Sequence, residues 1–405
     1  MSEGTPEGAV PTEAGAPPAT VVSTRAGLEE LARALARVPR LGLDVESDGM
    51  FAYRARVCTV QLVAGGSIAL VDTLATSLEP LAGVLGEGGP VKIVHDVAFD
   101  ARMLASAGLP LGNVHDTSIA ARLLGRTATG LASLARAELG VQIDKGLQHH
   151  DWRERPLLPS HALYLARDVA YLEALADVLW RELREHAIEP EVLEETRYRI
   201  ANAIAAAREP ERATAYADVK GFDRLAPLDR AVFRRLWRAR ESAAARLDMP
   251  SARTIATDAL LALARSRPRT LDALAKARLP RERLDAMGPE LIEAIARGIE
   301  DGDLPPEERA ALATPRPVRD EIARRRAREG ALTAWRKGEA KRRGVDEQVV
   351  LPGHCLKALA EAETMEVGTI QAIPGFGECR ARYVEEIASA LGRARHTPGL
   401  TTESA

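Results

Sequence analysis

The sequence reads as an α/β domain with a mixed sheet, followed by two all-α domains. Three observations support that reading. Between residues 21 and 190, short apolar runs alternate with segments of helical period. Beyond Glu191 the strand signal vanishes. Helical blocks punctuated by Pro and Gly then fill 221–302 and 318–396. At 405 residues the chain exceeds one ordinary core, and roughly two to three domains are expected.

Residues 1–20 are rich in Gly, Pro, Ala, Glu and Thr. They read as a disordered lead-in without the basic start and apolar stretch of a secretory signal. Leu28, Leu31, Leu35 and Val38 recur at helical spacing, with Ser23 or Thr24 as the cap. Residues 41–45 are a short apolar run ending in acid, read as a buried strand. Residues 57–63 and 68–71 form two more strands around the turn 64–67. A short helix is expected over 78–85 and a strand over 91–94. A helix over 98–107 is stopped by Gly108, a brief strand covers 113–115, and a helix covers 117–124. The rest to about His186 is helical, interrupted by the polar stretch 144–160. Residues 191–220 read as a helical linker and 221–302 as four or five short helices. The Pro- and acid-rich segment 303–317 reads as a second linker, and 397–405 as a loose tail.

The bulk composition narrows the function. The chain is 46% hydrophobic and 28% charged, as soluble globular proteins are. Aromatics are only 4% of residues, which argues against an extensive base-stacking platform. The net charge of −3 leaves nucleic-acid contacts to local basic clusters. Cys58, Cys355 and Cys379 are far apart and form no CxxC pair, so neither a disulfide framework nor a zinc site is indicated, which fits a cytoplasmic protein. No apolar run approaches the ~20 residues that span a bilayer, so no membrane partner is expected.

The chemistry is carried by carboxylates. Asp44 and Glu46 are i, i+2 on a strand and share one face. Tyr164 and Asp168 are i, i+4 on a helix and also share a face. Asp100 lies in the first turns of a helix that follows a strand. Each acid alone is more readily a cap, a turn residue or a solvated charge. Asp44, however, interrupts an apolar strand rather than a loop. Acids gathered in one place repel one another unless a cation neutralises them. Phosphodiester hydrolysis uses such a group to hold two divalent cations ~3.5–4 Å apart, one acidifying the attacking water and one stabilising the leaving oxygen. Hard carboxylate oxygens suit Mg²⁺ or Mn²⁺. In this reading Asp44 bridges both ions, Glu46 holds one, Asp168 closes the ligand shell, and Tyr164 holds the attacking water.

The ordered set resembles the ribonuclease D family of DEDD exonucleases, in the subclass with tyrosine in the third motif. Residues 41–46 are similar to the first motif, with Val45 where threonine is more usual. Residues 95–100 are similar to the second motif and 164–168 to the third. The resemblance covers about 21–187. It implies an RNase H-like fold, metal-ligand roles for Asp44, Glu46, Asp100 and Asp168, and a water-orienting role for Tyr164. Val45 lacks the hydroxyl of the usual residue, which removes a small polar contact to substrate.

Several other residues are weaker candidates. Asp96 reads as a helix cap, His95 as a packing or hydrogen-bonding group at a strand end, and Asp116 as an N-cap on the rim of the site. His149, His150 and Asp151 read as a polar surface segment rather than a metal site, because adjacent histidines do not share a helix face. Lys145, Arg153 and Arg155 stand where they would reach phosphates, though exposed charge explains them equally well.

The helical block 221–302 resembles an HRDC domain, the module attached to ribonuclease D and to RecQ-type helicases. The block 318–396 resembles a second, divergent copy. That resemblance implies binding of nucleic acid or docking of protein, not catalysis. Arg319 to Arg343 is the most basic stretch. Residues 373–377, Ile-Pro-Gly-Phe-Gly, read either as a turn that approaches phosphate through backbone N–H groups or as a plain helix–helix turn.

The expected function is a 3′–5′ exoribonuclease that trims single-stranded RNA 3′ ends and releases 5′-mononucleotides. tRNA precursors enter as substrates by resemblance only. The alternatives are a DNA 3′–5′ exonuclease, since the metal chemistry itself ignores the 2′-hydroxyl, and a nucleic-acid-binding scaffold with a degenerate nuclease domain. No required protein partner is evident.

Overall fold

A computed structural model describes residues 9–10, 19–143, 146–209, 212–276, 279–313, 319–362 and 366–395. Most of the expected lead-in and all of the expected tail lie outside the described residues. Two compact units form. One comprises residues 1–46, 57–208 and 317–405, and the other residues 47–56 and 209–316.

The first unit is built on a seven-stranded mixed sheet. Its strands are β1 (Ala9–Val10), β2 (Ala19–Val22), β3 (Arg40–Ser47), β4 (Val57–Ala64), β5 (Ser67–Asp72), β6 (Val91–Val94) and β7 (Val114–Asp116). Their spatial order is β1-β2-β5-β4-β3-β6-β7. β4 and β5 form an antiparallel hairpin, while β2 runs parallel to β5, β3 to β6, and β6 to β7. The expected strands are all present. β1 and β2 are additional. β2 has only four residues, Ala-Thr-Val-Val, and its place in the sheet depends on pairing with β5, 49 residues further on at Ala19↔Ile68.

β3 lies inside the sheet between β4 and β6. Leu41, Leu43 and Val45 are buried on one of its faces. Gly42, Asp44 and Glu46 alternate onto the other. Glycine is required at 42: a Cβ there would lie 2.5 Å from Val63 Cγ1 and 3.2 Å from Leu172 Cβ. That close approach seats the start of helix Leu172–Glu185 directly against the strand that carries the two acids. Thr24 is the cap of helix Arg25–Leu35, accepting from Gly27 N at 3.2 Å.

Helix Glu189–Arg208, expected as a linker, is part of the first unit's core. It packs against helix Val97–Ser106, and Val192, Ile200 and Ala203 join the buried apolar cluster of the sheet domain. Residues 319–362 and 366–395 form an all-α bundle with its own core around Leu332, Leu351, Leu359, Phe376, Tyr383 and Ile387. Its longest element, Arg319–Arg343, runs 25 residues.

The second unit is also all-α. Rather than only short helices, it holds two of 21 residues, Pro227–Leu247 and Arg281–Asp301. Gly298 lets them meet, since a Cβ there would lie 2.5 Å from Val232 Cα. The expected linker 303–317 carries helix Pro306–Leu312. Its buried Glu308 accepts hydrogen bonds from Tyr216, Arg234 and Arg238 at 2.6–2.9 Å. That network ties the helix to this unit's core. Residues 47–56 close on Asp48, whose carboxylate accepts from Arg56 N at 2.6 Å. Tyr53 N donates to Asp248 at 3.2 Å, and Arg253 lies 4.7 Å over the Phe51 ring. Among the described residues, no helix is long and apolar enough to cross a membrane.

Candidate active site

Three of the four predicted acids meet. Ligand oxygens of Asp44, Glu46 and Asp168 all lie within 4.8 Å of one another. Asp44 and Glu46 come from β3, and Asp168 from helix Pro159–Ala170. The fourth acid, Asp100, stands beside them on helix Val97–Ser106, close enough that the charges of Asp44 and Glu46 act on it. It is 2% exposed, and its Oδ2 is buried with no hydrogen-bond partner. Among the described residues, no Lys or Arg forms an ion pair with any of the four.

The electrostatics follow from that geometry. Burial pushes Asp44 up to about 6. Burial, then the charges of Asp44 and Asp168, push Glu46 up to about 9. Burial and the charge of Asp44 push Asp168 up to about 8, opposed by a hydrogen bond from Tyr164. Asp100 is raised well above the usual carboxylate range by burial, with Asp44 the next cause. With nothing positive at the centre, these acids cannot all be ionised near neutral pH. A hard divalent cation is the group that such a set accommodates, and Asp100 Oδ2 is an acceptor with no donor of its own. The residues present fit bound metal.

Tyr164 is buried, one turn before Asp168. Its ring lies 5.7 Å from that of Trp152, a residue that sequence reasoning did not single out. Trp152 is 2% exposed, and its indole N–H opposes the rise at Glu46 without reaching true hydrogen-bond geometry. Trp152 also packs on His150 and His161, with ring centroids 5.0 and 6.1 Å away. His150 is therefore part of a small aromatic cluster beside Tyr164, and only His149 of that pair is exposed.

Arg155 is not available to phosphate. It binds both oxygens of Asp72 at 2.7 and 2.8 Å and donates to the carbonyls of Cys58 and Trp152. It thereby fastens the segment that carries Trp152 to the sheet. Arg153 is likewise engaged by Asp151, at 2.8–3.3 Å. Lys145 lies outside the described residues.

Asp96 occupies the N-cap position of the Asp100 helix in a left-handed conformation (φ 66°), yet its side chain makes no capping bond. The cap is supplied by Asp116. That fully buried carboxylate accepts from Asp96 N at 3.3 Å and Val97 N at 2.8 Å. It also accepts from Ser118 N at 2.8 Å and Ile119 N at 3.0 Å. One side chain thus satisfies the first N–H groups of two helices. His95 Nδ1 lies 2.9 Å from Thr117 Oγ1, which donates to Val94 O at 2.8 Å, so the same junction is closed a second time.

Fold and site together define a carboxylate-centred nuclease with an acidic cluster of the composition that divalent cations bind. A family model described as 3′–5′ exonuclease matches residues 19–184, and one described as HRDC domain matches 229–295 and 325–391. Ribonuclease D of Granulibacter bethesdensis is 30% identical over 318 residues, covering 75% of this chain and 78% of that protein. Ribonuclease D of Haemophilus influenzae is 28% identical over 290 residues, covering 70% and 72%. The crystal structure of Escherichia coli RNase D, described as an exoribonuclease involved in structured RNA processing, superposes with a TM-score of 0.68 at 22% identity over 92% of this chain and 98% of that one, and so shares the fold. The chain belongs to the ribonuclease D family, as a 3′–5′ exonuclease with two HRDC domains.

Proposed function

We propose that the chain removes nucleotides one at a time from single-stranded RNA 3′ ends, with Asp44, Glu46, Asp100, Asp168 and Tyr164 as the acting residues. The observation that carries this reading is the convergence of Asp44, Glu46 and Asp168 within 4.8 Å next to an orphaned Asp100 oxygen. The four acids would hold two divalent cations, Mg²⁺ or Mn²⁺, which when bound supply an acidified water and neutralise charge at the scissile phosphate. Tyr164, whose hydroxyl opposes the rise at Asp168, orients the attacking water. Trp152 backs the Tyr164 ring and limits its movement. The water oxygen bonds to phosphorus, the bond from phosphorus to the 3′-oxygen breaks, and that oxygen leaves with a proton. The products are a 5′-mononucleotide and a chain one residue shorter with a free 3′-hydroxyl.

RNA is preferred over DNA because the relatives are named as ribonucleases. The intact acidic cluster speaks against a degenerate scaffold. Precursors of tRNA are the substrate class implied by resemblance. A cytoplasmic location is supported by three cysteines that no disulfide joins. The test is product analysis on matched, 5′-labelled RNA and DNA with and without divalent metal. The wild-type chain should shorten RNA stepwise from the 3′ end, and Asp44→Asn should slow this by about 10³-fold or more with the fold intact. Near-wild-type hydrolysis by that variant would refute the assignment.

A further inference from the structure

Helix Glu189–Arg208 turns three acids, Glu191, Glu194 and Glu195, toward the second HRDC domain, and all three are buried. Glu191 Oε1 accepts from Arg382 at 2.6 Å and from Arg343 at 3.2 Å. Glu194 Oε1 accepts the backbone N–H of Cys379 at 2.8 Å, and its Oε2 accepts from Arg380 at 3.1 Å. Arg380 is fully buried. Glu195 lies 3.9 Å from His354, whose ring stacks on Tyr198 at 3.9 Å.

The turn 373–377 fits around this carboxylate. Gly375 and Gly377 have φ of 78° and 74°. A Cβ at Gly377 would lie 2.1 Å from Glu194 Oε2, and one at Gly375 would lie 2.5 Å from His354 Nε2 and 2.7 Å from the Tyr198 ring. A glycine turn that lets the chain close around an anion, followed by a donating backbone N–H at Cys379 and a buried arginine, is the chemistry of an anion site. Carboxylate and phosphate oxygens satisfy the same donors. Here the donors face a carboxylate of the same chain. Arg380 Nε and Nη2 have no hydrogen-bond partner, so a single carboxylate leaves part of the guanidinium unfilled.

We propose that residues 373–380 form an anion-binding site whose resident ligand is the Glu194 carboxylate. The second HRDC domain is thus clasped to the nuclease domain by the surface that would otherwise receive phosphate. Arg343, Arg380 and Arg382 hold the domain in place and do not contact RNA. This goes beyond the exonuclease reading, because it concerns docking and not hydrolysis.

The test uses the full chain carrying Asp44→Asn, so that RNA survives the measurement. Amide exchange is followed across 373–383 with and without Glu194→Gln, which keeps the size of the side chain and removes its charge. RNA affinity is measured for Arg380→Gln. Because Arg380 is fully buried, Arg382→Gln repeats that measurement at the half-exposed rim of the same cluster. Exchange should accelerate by about tenfold in the Glu194 variant, and both arginine variants should bind RNA within about threefold of the parent. Unaccelerated exchange, or a loss of RNA affinity beyond that threefold in the Arg382 variant, would overturn the clasp.

Discussion

Tyr164 and Asp168 stand one helical turn apart, and the Tyr164 hydroxyl opposes the rise at Asp168; in the proposed mechanism that hydroxyl orients the attacking water. Tyr164→Phe keeps the ring against Trp152 and deletes only the hydroxyl. Turnover should fall by about 10- to 100-fold, with metal binding unchanged. Single-turnover hydrolysis and a metal titration check this together, and unchanged turnover would remove Tyr164 from the mechanism. The grouping of Asp44, Glu46 and Asp168 was legible in the sequence because strand and helix periods fix which neighbours share a face. Trp152 was not, since nothing local marks it; Arg155 brings it to the site through Asp72, 83 positions earlier in the chain. Arg155 itself was open to misreading for the same reason. Its charge is visible in the sequence and its buried partner is not.

The junction of β6, β7 and two helices shows what one buried carboxylate can do for the elements around it. Asp116 caps helix Thr117–Leu123, as its position just before Thr117 implied. It also caps helix Val97–Ser106 across the sheet, which no local pattern could reveal, because the two segments are brought together by β6–β7 pairing. Asp96, the residue at the expected cap position, contributes only its backbone. Asp116→Asn removes the charge and half of the accepting oxygens that fix the helix carrying Asp100. The expected result is a kcat lower by about 10- to 100-fold with KM for RNA little changed, alongside about 1 kcal/mol of lost stability. A variant that loses stability with kcat intact would mean that Asp116 serves the fold alone. β2 went unread by the same logic. Four residues carry too little periodicity to identify a strand, and pairing with β5 is what makes them one.

Across the molecule, the α/β domain and the two helical domains were legible as blocks because the apolar period changes near Glu191. How the blocks join was not. Helix Glu189–Arg208, which read as a linker, is buried against the Asp100 helix on one side and bound to Arg343, Arg380 and Arg382 on another. Residues 306–312, which also read as linker, close the core of the second unit through Glu308. In both places buried charged side chains do the joining. Sequence patterning assigns such residues to the surface by default, so the error has a physical cause.

The central claim is that these carboxylates are built for divalent cations, and it predicts a proton balance. In the metal-free chain Glu46 is raised to about 9 and Asp168 to about 8, so both carry protons at pH 7. A cation must displace them, because only the ionised form is a ligand. Affinity should therefore rise with pH through this range and level off above about 9. The direct measurement is calorimetric titration of the metal-free full chain with Mn²⁺ at pH 7, in two buffers of different ionisation heat, for wild type and Asp44→Asn. Paired divalent sites with net proton release in the wild type, lost in the variant, are the expected result. Binding without proton release, or equal binding by the Asp44 variant, would contradict it.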